Sequence, residues 1–294
     1  AEILKSFHGH AEHLLRYRGY GNNWLIVESQ VLFTLGVLFP EFKQAENWRD
    51  KSRKCLEKEI KRQVFPDGTD WEISPGYHMM ACMGFARAWE LGRENGFHFS
   101  DTYGERLEKT FDYIAGMKRP DGTLPSVNDS GPALKGKDSE SFLQTGARLF
   151  DRSDLMHPPD DPRAGKSRIF EDSGQCVLCS GRGRGSLWMH VNFGKPGASH
   201  QHNDALGIEV FSHGFPFIVD PGITGYMRDH WTEYYRSSFS HNTLLLNGKE
   251  QIASRLLGHL NCESVRGAFT SSLGETADFI RSVYRDGYQD LPET

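Results

Sequence analysis

The chain has 294 residues, a length that predicts one large domain or two ordinary ones. Lys and Arg number 34 and Asp and Glu number 39, so the formal net charge is −5 and bulk charge does not favour binding to nucleic acid or to an anionic membrane. No stretch approaches about 18 consecutive apolar residues, so we expect no membrane-spanning helix, and the first residues do not have the pattern of a signal peptide. The start on Ala1 rather than Met predicts a processed or fragmentary chain.

Up to residue 156 the chain has the apolar spacing of amphipathic helices. Apolar residues recur at intervals of three and four, as in Leu32, Leu35 and Leu38 and again in Leu107, Phe111 and Ile114. Helix breakers follow these runs at Pro40, at Asn95-Gly96 and at Arg119-Pro120-Asp121-Gly122. The pattern predicts a domain of stacked helical hairpins over residues 1–156.

Residues 157–166 are rich in Pro, Asp and Gly, which is typical of a linker. Beyond them come short apolar or alternating segments bounded by turn residues, as strands are, at 175–180, 186–193, 207–212, 215–220, 242–246 and 278–284. We therefore predict a two-domain α+β protein whose second domain, residues 167–294, is antiparallel β and is cut short at its end.

Four residues of the β half are candidate metal ligands. His200 and His202 lie two apart, so on an extended segment their rings face the same side, while Asp220 and His241 flank predicted strands. Two imidazoles and a carboxylate suit zinc. The alternative, given equal weight, is that these are separate loop histidines and a turn aspartate. Cys176 and Cys179 have no second pair, so we interpret them as core cysteines.

In the helical half, a turn leads into a helix that begins with a carboxylate, a phenol and an imidazole, from Glu72, Tyr77 and His78. Tyr77 could transfer a proton, although an aromatic that only packs between helices is the simpler interpretation. Asn22 and Asn23 are either a helix cap or a polar pair facing a cleft. Asn128-Asp129 could be a plain turn.

The order of these motifs resembles the heparinase II/III-like polysaccharide lyases. In the helical half the motifs are Asn22-Asn23-Trp24 with Glu28 downstream, Pro66-Asp67-Gly68, Glu72-x-Ser74-Pro75-x-Tyr77-His78, Pro120-Asp121-Gly122 and Asn128-Asp129. In the β half they are His200-x-His202-x-Asp204-Ala205-Leu206, Val219-Asp220-Pro221-Gly222, Tyr235-Arg236-Ser237-Ser238 and His241-Asn242-Thr243. The resemblance extends from about Gly21 to the end of the chain.

This resemblance implies an incomplete α/α toroid of helical hairpins followed by an antiparallel β-sandwich, with the active site in the cleft between them. It implies a catalytic role for Tyr77, for His200 beside the substrate and for Asn23 near the substrate carboxylate. A second catalytic tyrosine is expected at Tyr226 or Tyr235, between which the sequence does not choose. Many members have a His where this chain has Trp24, which weakens assignment to the subgroups that use that His.

The resemblance also implies partners for the site. One zinc ion, structural or site-organising, would be held by His202, Asp220 and His241, and an acidic polysaccharide would contact Asn22, Glu72, His78 and Arg236. A secreted or periplasmic location is expected from the family. The oligomeric state is not predicted.

The chemistry implied is β-elimination from a uronic acid. The enzyme must neutralise the substrate carboxylate, remove the C5 proton and protonate the leaving oxygen O4, for which an amide donor, an imidazole and a phenol are suited. Two alternatives are a metal-dependent glycan hydrolase and a glycan-binding protein without catalytic activity. The sequence does not identify the glycan, and it distinguishes neither endo from exo action nor syn from anti elimination.

Overall fold

The first half of the chain is helical, as predicted. A computed structural model describes residues 2–131, 136–156, 165–181, 183, 185–194, 200–251, 266–284 and 288. The helices are α1 (Glu2–Arg16), α2 (Asn23–Leu38), α3 (Ala45–Gln63), α4 (Pro75–Glu94), α5 (Asp101–Met117) and α6 (Gly136–Phe150), with a short 3₁₀ helix at Ser153–Met156. Helices α2, α4 and α5 end just before the predicted breakers. Within the described residues, no helix is both long enough and apolar enough to cross a membrane.

Helices α2 and α4 run in the same direction, which places both of their N-termini at one end of the domain. Ile26 of α2 packs on Gly84, where a Cβ would lie only 2.8 Å from the Ile26 Cγ2. Farther along, Phe33 meets Phe99, with ring centroids 5.4 Å apart, and Phe99 in turn lies against Gly92 near the end of α4. Tyr77 in the first turn of α4 and Asn23 in the first turn of α2 therefore lie at the same end.

The second half contains a five-stranded antiparallel sheet in which the strands follow chain order. The strands are β1 (Arg168–Phe170), β2 (Gln175–Cys179), β3 (Trp188–Asn192), β4 (Ile208–Ser212) and β5 (Phe215–Ile218), and a separate hairpin consists of β6 (Arg266–Leu273) and β7 (Asp278–Tyr284). A short helix, α7 (His230–Arg236), and a 3₁₀ turn, Ser238–Ser240, follow β5.

The central strands of this sheet are covered on both faces, each by a different layer, whereas β5 is largely exposed. Val177 and Trp188 face the helices and join the main hydrophobic core with Phe211. The alternate side chains of the same strands, such as Cys176 in β2 and Val191 in β3, face the opposite way and pack with residues of the β6–β7 hairpin. The fold class, helical hairpins followed by packed antiparallel sheets, is thus confirmed.

Several polar contacts join the halves, and three of those beside the shared core are 3.0 Å or shorter. The Tyr113 hydroxyl donates to Gln175 Oε1 at 3.0 Å, and the Ser173 amide donates to Asp67 Oδ2 at 2.8 Å. The third contact is an ion pair between Arg119, just after α5, and Glu209 of β4, 2.7 Å apart and nearly buried. The predicted linker, residues 157–166, lies outside the described residues except at its last two positions.

The sequence prediction of a strand at 242–246 is wrong. The Asn242 side chain donates to the carbonyls of Ile208 and Val219, so its amide takes acceptors that a paired strand would use. The chain then turns at Asn247-Gly248, where both residues have positive φ, and only Leu246 and Lys249 form an isolated bridge. Strands β1 and β6 and helix α7 were not predicted.

The interpretation of Cys176 and Cys179 as core cysteines is confirmed. Both are free thiols. Residues three apart on a strand point to opposite faces, so Cys176 packs towards the hairpin while Cys179 packs against the main core. Burial raises the pKa of each thiol to about 12.

Candidate functional site

The candidate site forms where the start of α4, the turn at residues 128–130 and the segment at 200–202 meet. Ser74 in extended conformation and Pro75 in the first turn start α4, which sets Tyr77 at its third position. The Ser130 hydroxyl lies 2.8 Å from the Ser74 hydroxyl and accepts from the Gly76 amide. Asn128 donates to the Ile73 carbonyl, so the turn is tied to the start of α4 on both sides.

Aromatic side chains from both halves of the chain meet at the centre of the site and form an aromatic group. The rings of Tyr77 and His200 stack with centroids 3.7 Å apart and planes 16° apart. The Tyr77 hydroxyl is 2.5 Å from the Tyr226 hydroxyl, and the Arg236 guanidinium lies 5.7 Å from the centroid of the Tyr226 ring. Burial and the bond to Tyr77 raise the pKa of the Tyr226 hydroxyl, which therefore stays protonated. These contacts favour Tyr226 over Tyr235 as the second tyrosine.

The Asp129 carboxylate connects His200 and His202 to Arg236. Its Oδ2 accepts from His200 Nδ1 and from Arg236 Nη2, each at 2.7 Å, and its Oδ1 accepts from His202 Nε2 at 2.8 Å. Burial alone would raise the pKa of this carboxyl, but the bonds from the two histidines and the charge of Arg236 hold it well below its usual range. Asp129 is therefore a carboxylate that accepts from three donors.

Glu72 faces the other edge of the His200 ring. It is 1% exposed, its Oε1 lies 3.8 Å from His200 Nε2, and its Oε2 has no hydrogen-bond partner. Burial raises the pKa of this carboxyl; the charge of His200 opposes the shift and that of Asp129 adds to it. The His200 side chain itself is 17% exposed, so the ring remains reachable from solvent.

The three predicted zinc ligands lie together, beneath the aromatic group. The rings of His202 and His241 are 5.1 Å apart, and His241 Nδ1 lies 2.7 Å from Asp220 Oδ2. Two nitrogens in this pair, His202 Nδ1 and His241 Nε2, are buried without a hydrogen-bond partner. Buried imidazole lone pairs without donors suit a cation, so these residues fit a divalent ion. Asp220 is bonded to His241, and no group of three possible ligands is arranged for a metal among the residues described.

The remaining predicted residues lie around or outside these contacts. Asn23 begins α2 and is almost buried, and Asn22 precedes it with an Oδ1 that is buried and unpartnered. Tyr235 is half-buried, and its ring packs against Tyr234. Arg236 is in the site but is paired with Asp129, so its charge is offset there rather than free for a substrate.

His78 does not fit its predicted role in substrate binding. It is fully buried, its Nδ1 accepts from the Asp70 amide and its Nε2 lies 2.9 Å from the Thr110 carbonyl. The next residue along the helix from Tyr77 points into the core, because consecutive helical side chains lie on different faces. His78 is a core residue.

Asp129 is the residue that the sequence reasoning missed. Its sequence context is also that of a plain turn, although it lies in one of the motifs that carry the family resemblance. Its partners are 71 or more positions away along the chain, so local sequence carries no sign of them.

Comparison with known proteins identifies the family. Residues 1–157 match the heparinase II/III N-terminal family, and residues 162–293 match the heparinase II/III-like C-terminal family. The chain belongs to the heparinase II/III family. It is 27% identical over 266 residues to a heparin-sulfate lyase from Pedobacter heparinus, and 28% identical over 260 residues to one from Bacteroides stercoris.

This heparinase II/III chain spans about 40% of the length of these relatives. The two alignments cover 86% and 84% of this chain, and 40% and 39% of the respective lyases. A crystal structure of heparinase III superimposes with a TM-score of 0.79 at 22% identity, covering 92% of this chain and 44% of that one. At this identity the likeness supports the shared fold.

Proposed function

We propose that this heparinase II/III chain acts as a polysaccharide lyase that cleaves a uronic-acid-containing glycan by β-elimination. The observation that carries the proposal is the stack of Tyr77 on His200, which joins a phenol and an imidazole from the two halves of the chain at 3.7 Å. The heparin-sulfate lyases among its relatives support the reaction class and make heparan sulfate the first substrate to test.

His200 is the proposed base. Its Nδ1 donates to the Asp129 carboxylate, so in the neutral ring Nε2 carries the lone pair that can take the C5 proton. Asp129 would then stabilise the imidazolium that forms. The geometry required is a C5 hydrogen within about 3 Å of Nε2.

Tyr77 is the proposed acid. Its hydroxyl shares a hydrogen bond with that of Tyr226. We expect this phenol to protonate O4 of the substrate as it leaves. Asn23, in the first turn of α2 at the same end of the domain, is the proposed amide donor to the substrate carboxylate. Such preorganised donors contribute a few kcal/mol each to the stability of a developing enolate.

Incubation of the complete protein with heparan sulfate, hyaluronan, alginate and a neutral glycan tests the proposal. Elimination creates an unsaturated uronate that absorbs ultraviolet light, whereas hydrolysis creates new reducing ends without that absorbance. We expect absorbance to rise with at least one uronate and not with the neutral glycan. The variant His200→Gln should remove activity and the exposed His213→Gln should keep it. Reducing ends without absorbance would instead indicate the metal-dependent hydrolase.

We also propose that His202, Asp220 and His241 hold one zinc ion. The support is the pair of buried imidazole nitrogens without hydrogen-bond partners. A zinc ion would connect segments that are distant in sequence and so stabilise the β half.

Metal content of the purified protein is the direct measurement. We expect about one zinc per chain, lost in His202→Gln and His241→Gln and kept in His213→Gln, and a lower melting temperature after chelation. Full zinc content in both ligand variants would contradict the assignment.

A further inference from the structure

The Asp129 carboxylate lies between the two chemically distinct parts of the site. Its side chain is completely buried, so it cannot touch a polysaccharide in the cleft. One of its oxygens accepts from His200, whose ring is partly exposed to solvent. The other accepts from His202, whose ring is buried beside that of His241. Asp129 thus acts on a substrate only through other residues.

Each of these hydrogen bonds decides where a ring proton lies. A carboxylate only accepts, so the nitrogen facing it must carry the hydrogen. In His200 that nitrogen is Nδ1, which leaves Nε2 bare towards Glu72 and the cleft. In His202 it is Nε2, which leaves Nδ1 bare and buried near the His241 ring.

Arg236 fixes the orientation of the carboxylate. It shares Oδ2 with His200, and its carbonyl accepts from the Asn203 amide, so it is anchored to the same segment as the two histidines. The Asp129 amide in turn donates to the His200 carbonyl at 3.1 Å. Backbone and side chain of Asp129 therefore hold the segment from His200 to Asn203 in one arrangement.

We propose that Asp129 is a positioning residue that sets the ring tautomers of His200 and His202 at the same time. One carboxylate would then prepare the base in the cleft and the cation-binding nitrogen beneath it. The effect on turnover rests on the lyase function proposed above, whereas the tautomers themselves do not.

Nitrogen-15 NMR of the complete protein, labelled at histidine, measures the tautomers without any substrate. Ring signals at alkaline pH are assigned by their disappearance in His200→Gln and in His202→Gln. We expect the proton of His200 on Nδ1 and that of His202 on Nε2. This measurement on the unaltered protein decides the inference even if an Asp129 variant does not fold.

The variant Asp129→Asn separates positioning from packing. An amide of the same shape has one oxygen, and Arg236 draws it to the Oδ2 position, so the NH₂ group faces His202 Nε2. His202 must then accept at Nε2 and carry its proton on Nδ1. We expect the His202 signals to invert, zinc content to fall and kcat to drop about 10- to 100-fold with KM little changed.

Asp67→Asn is the matched control. Its carboxylate also accepts from two separate segments, through the amides of Thr69 and Ser173, but it touches no histidine. We expect wild-type ring signals and kcat in this variant.

Two outcomes would overturn the proposal: the opposite proton position on either ring of the unaltered protein, or Asp129→Asn with unchanged ring signals and kcat. Absence of lyase activity in the unaltered protein would instead count against the proposed function, because the ring signals still report the tautomers.

Discussion

Tyr77 and Tyr103 each make one hydrogen bond through the hydroxyl, but only Tyr77 faces the cleft. Tyr103 donates to the Phe85 carbonyl inside the helical core. If Tyr77 moves a proton, Tyr77→Phe should lower turnover about 10²-fold or more and leave the fold intact, because the ring still packs on His200. Turnover and melting temperature of the complete protein are the measurements.

Tyr103→Phe is the matched comparison. It should cost about 1 kcal/mol of stability for the lost bond and leave turnover near normal. Near-normal turnover in Tyr77→Phe would remove Tyr77 from the proton-transfer step and favour the packing role.

Because His78 is buried, we expect the stability of the protein to depend on pH. Burial lowers its folded-state pKa to about 3, below the ordinary 6.5, although the bond to Thr110 opposes the shift. Between these pH values the unfolded chain binds a proton that the folded chain does not. The contribution of His78 to the free energy of unfolding is therefore fully present above pH 6.5 and is lost as pH falls. The contribution is about 1.4 kcal/mol per pH unit.

Denaturant unfolding between pH 7 and pH 4 measures this slope. We expect His78→Gln to be less stable at pH 7 but to lose less stability on acidification, with the exposed His213→Gln as the comparison for removing one imidazole. An unchanged slope in His78→Gln would show that another group carries the acid sensitivity.

At the residue scale, sequence reasoning identified most of the groups that meet, because residue type and order are visible in a chain. It did not distinguish His78 from its neighbour Tyr77, since burial depends on which helices surround α4. Nor did it identify Asp129, because His200, His202 and Arg236, which donate to its carboxylate, lie on distant segments.

The turn after β5 packs closely against the turn at residues 126–130. Gly222 has φ +63°, and a Cβ on it would lie 2.5 Å from the Ser130 carbonyl oxygen and 2.6 Å from that of Ser126. Gly222→Ala should therefore destabilise the protein by more than the 1–2 kcal/mol or so of a left-handed residue alone, and turnover should fall because the turn that carries Asp129 must move.

Gly225→Ala, three residues later, is the control, because a Cβ there meets nothing within 4 Å. Melting temperature and turnover of the two variants should differ clearly. Equal melting temperatures and turnover in the two variants would mean that the turn at residues 126–130 can move without affecting the site.

At the element scale, the short strands bounded by turn residues were predictable from sequence and the irregular segments were not. Strand β3 could be recognised because the apolar residues Trp188, Met189 and Val191 form a short run between turn residues. The segment at 242–246 has the composition of a strand, but the contacts of the Asn242 side chain replace strand pairing, and composition does not show this.

For the molecule as a whole, the Arg119–Glu209 pair is the contact that most directly tests how the halves hold together. Arg119→Met leaves the Glu209 carboxylate buried without its cation, and losing one partner of a buried pair costs about 3–5 kcal/mol. Glu209 also accepts from the Asp220 amide, so the zinc content should fall too.

Arg148→Met is the control for removing an arginine from an ion pair. Arg148 pairs with Glu90 on the surface, its side chain is 59% exposed, and such a pair contributes about 0–1 kcal/mol. Equal melting temperatures for the two variants would contradict a special role of the interface between the halves.

The two-part architecture was predictable because helix and strand periodicities change abruptly near residue 156. How the parts meet was not predictable from periodicity, since the Tyr77 and Tyr226 hydroxyls are 149 positions apart and nothing local specifies their contact. The family resemblance supplied that expectation.

The two-sided burial of β3 makes the sheet sensitive to the parity of insertions and deletions. Removing His190 from β3, for example, would move Val191 to a position that faces the helices and Asn192 to one that faces the hairpin, if Trp188 and Met189 keep their places. Removing two residues shortens the strand but keeps every remaining side chain on its own side. Homologous chains should therefore differ within this strand by even numbers of residues, and odd changes should be confined to the loops that flank it.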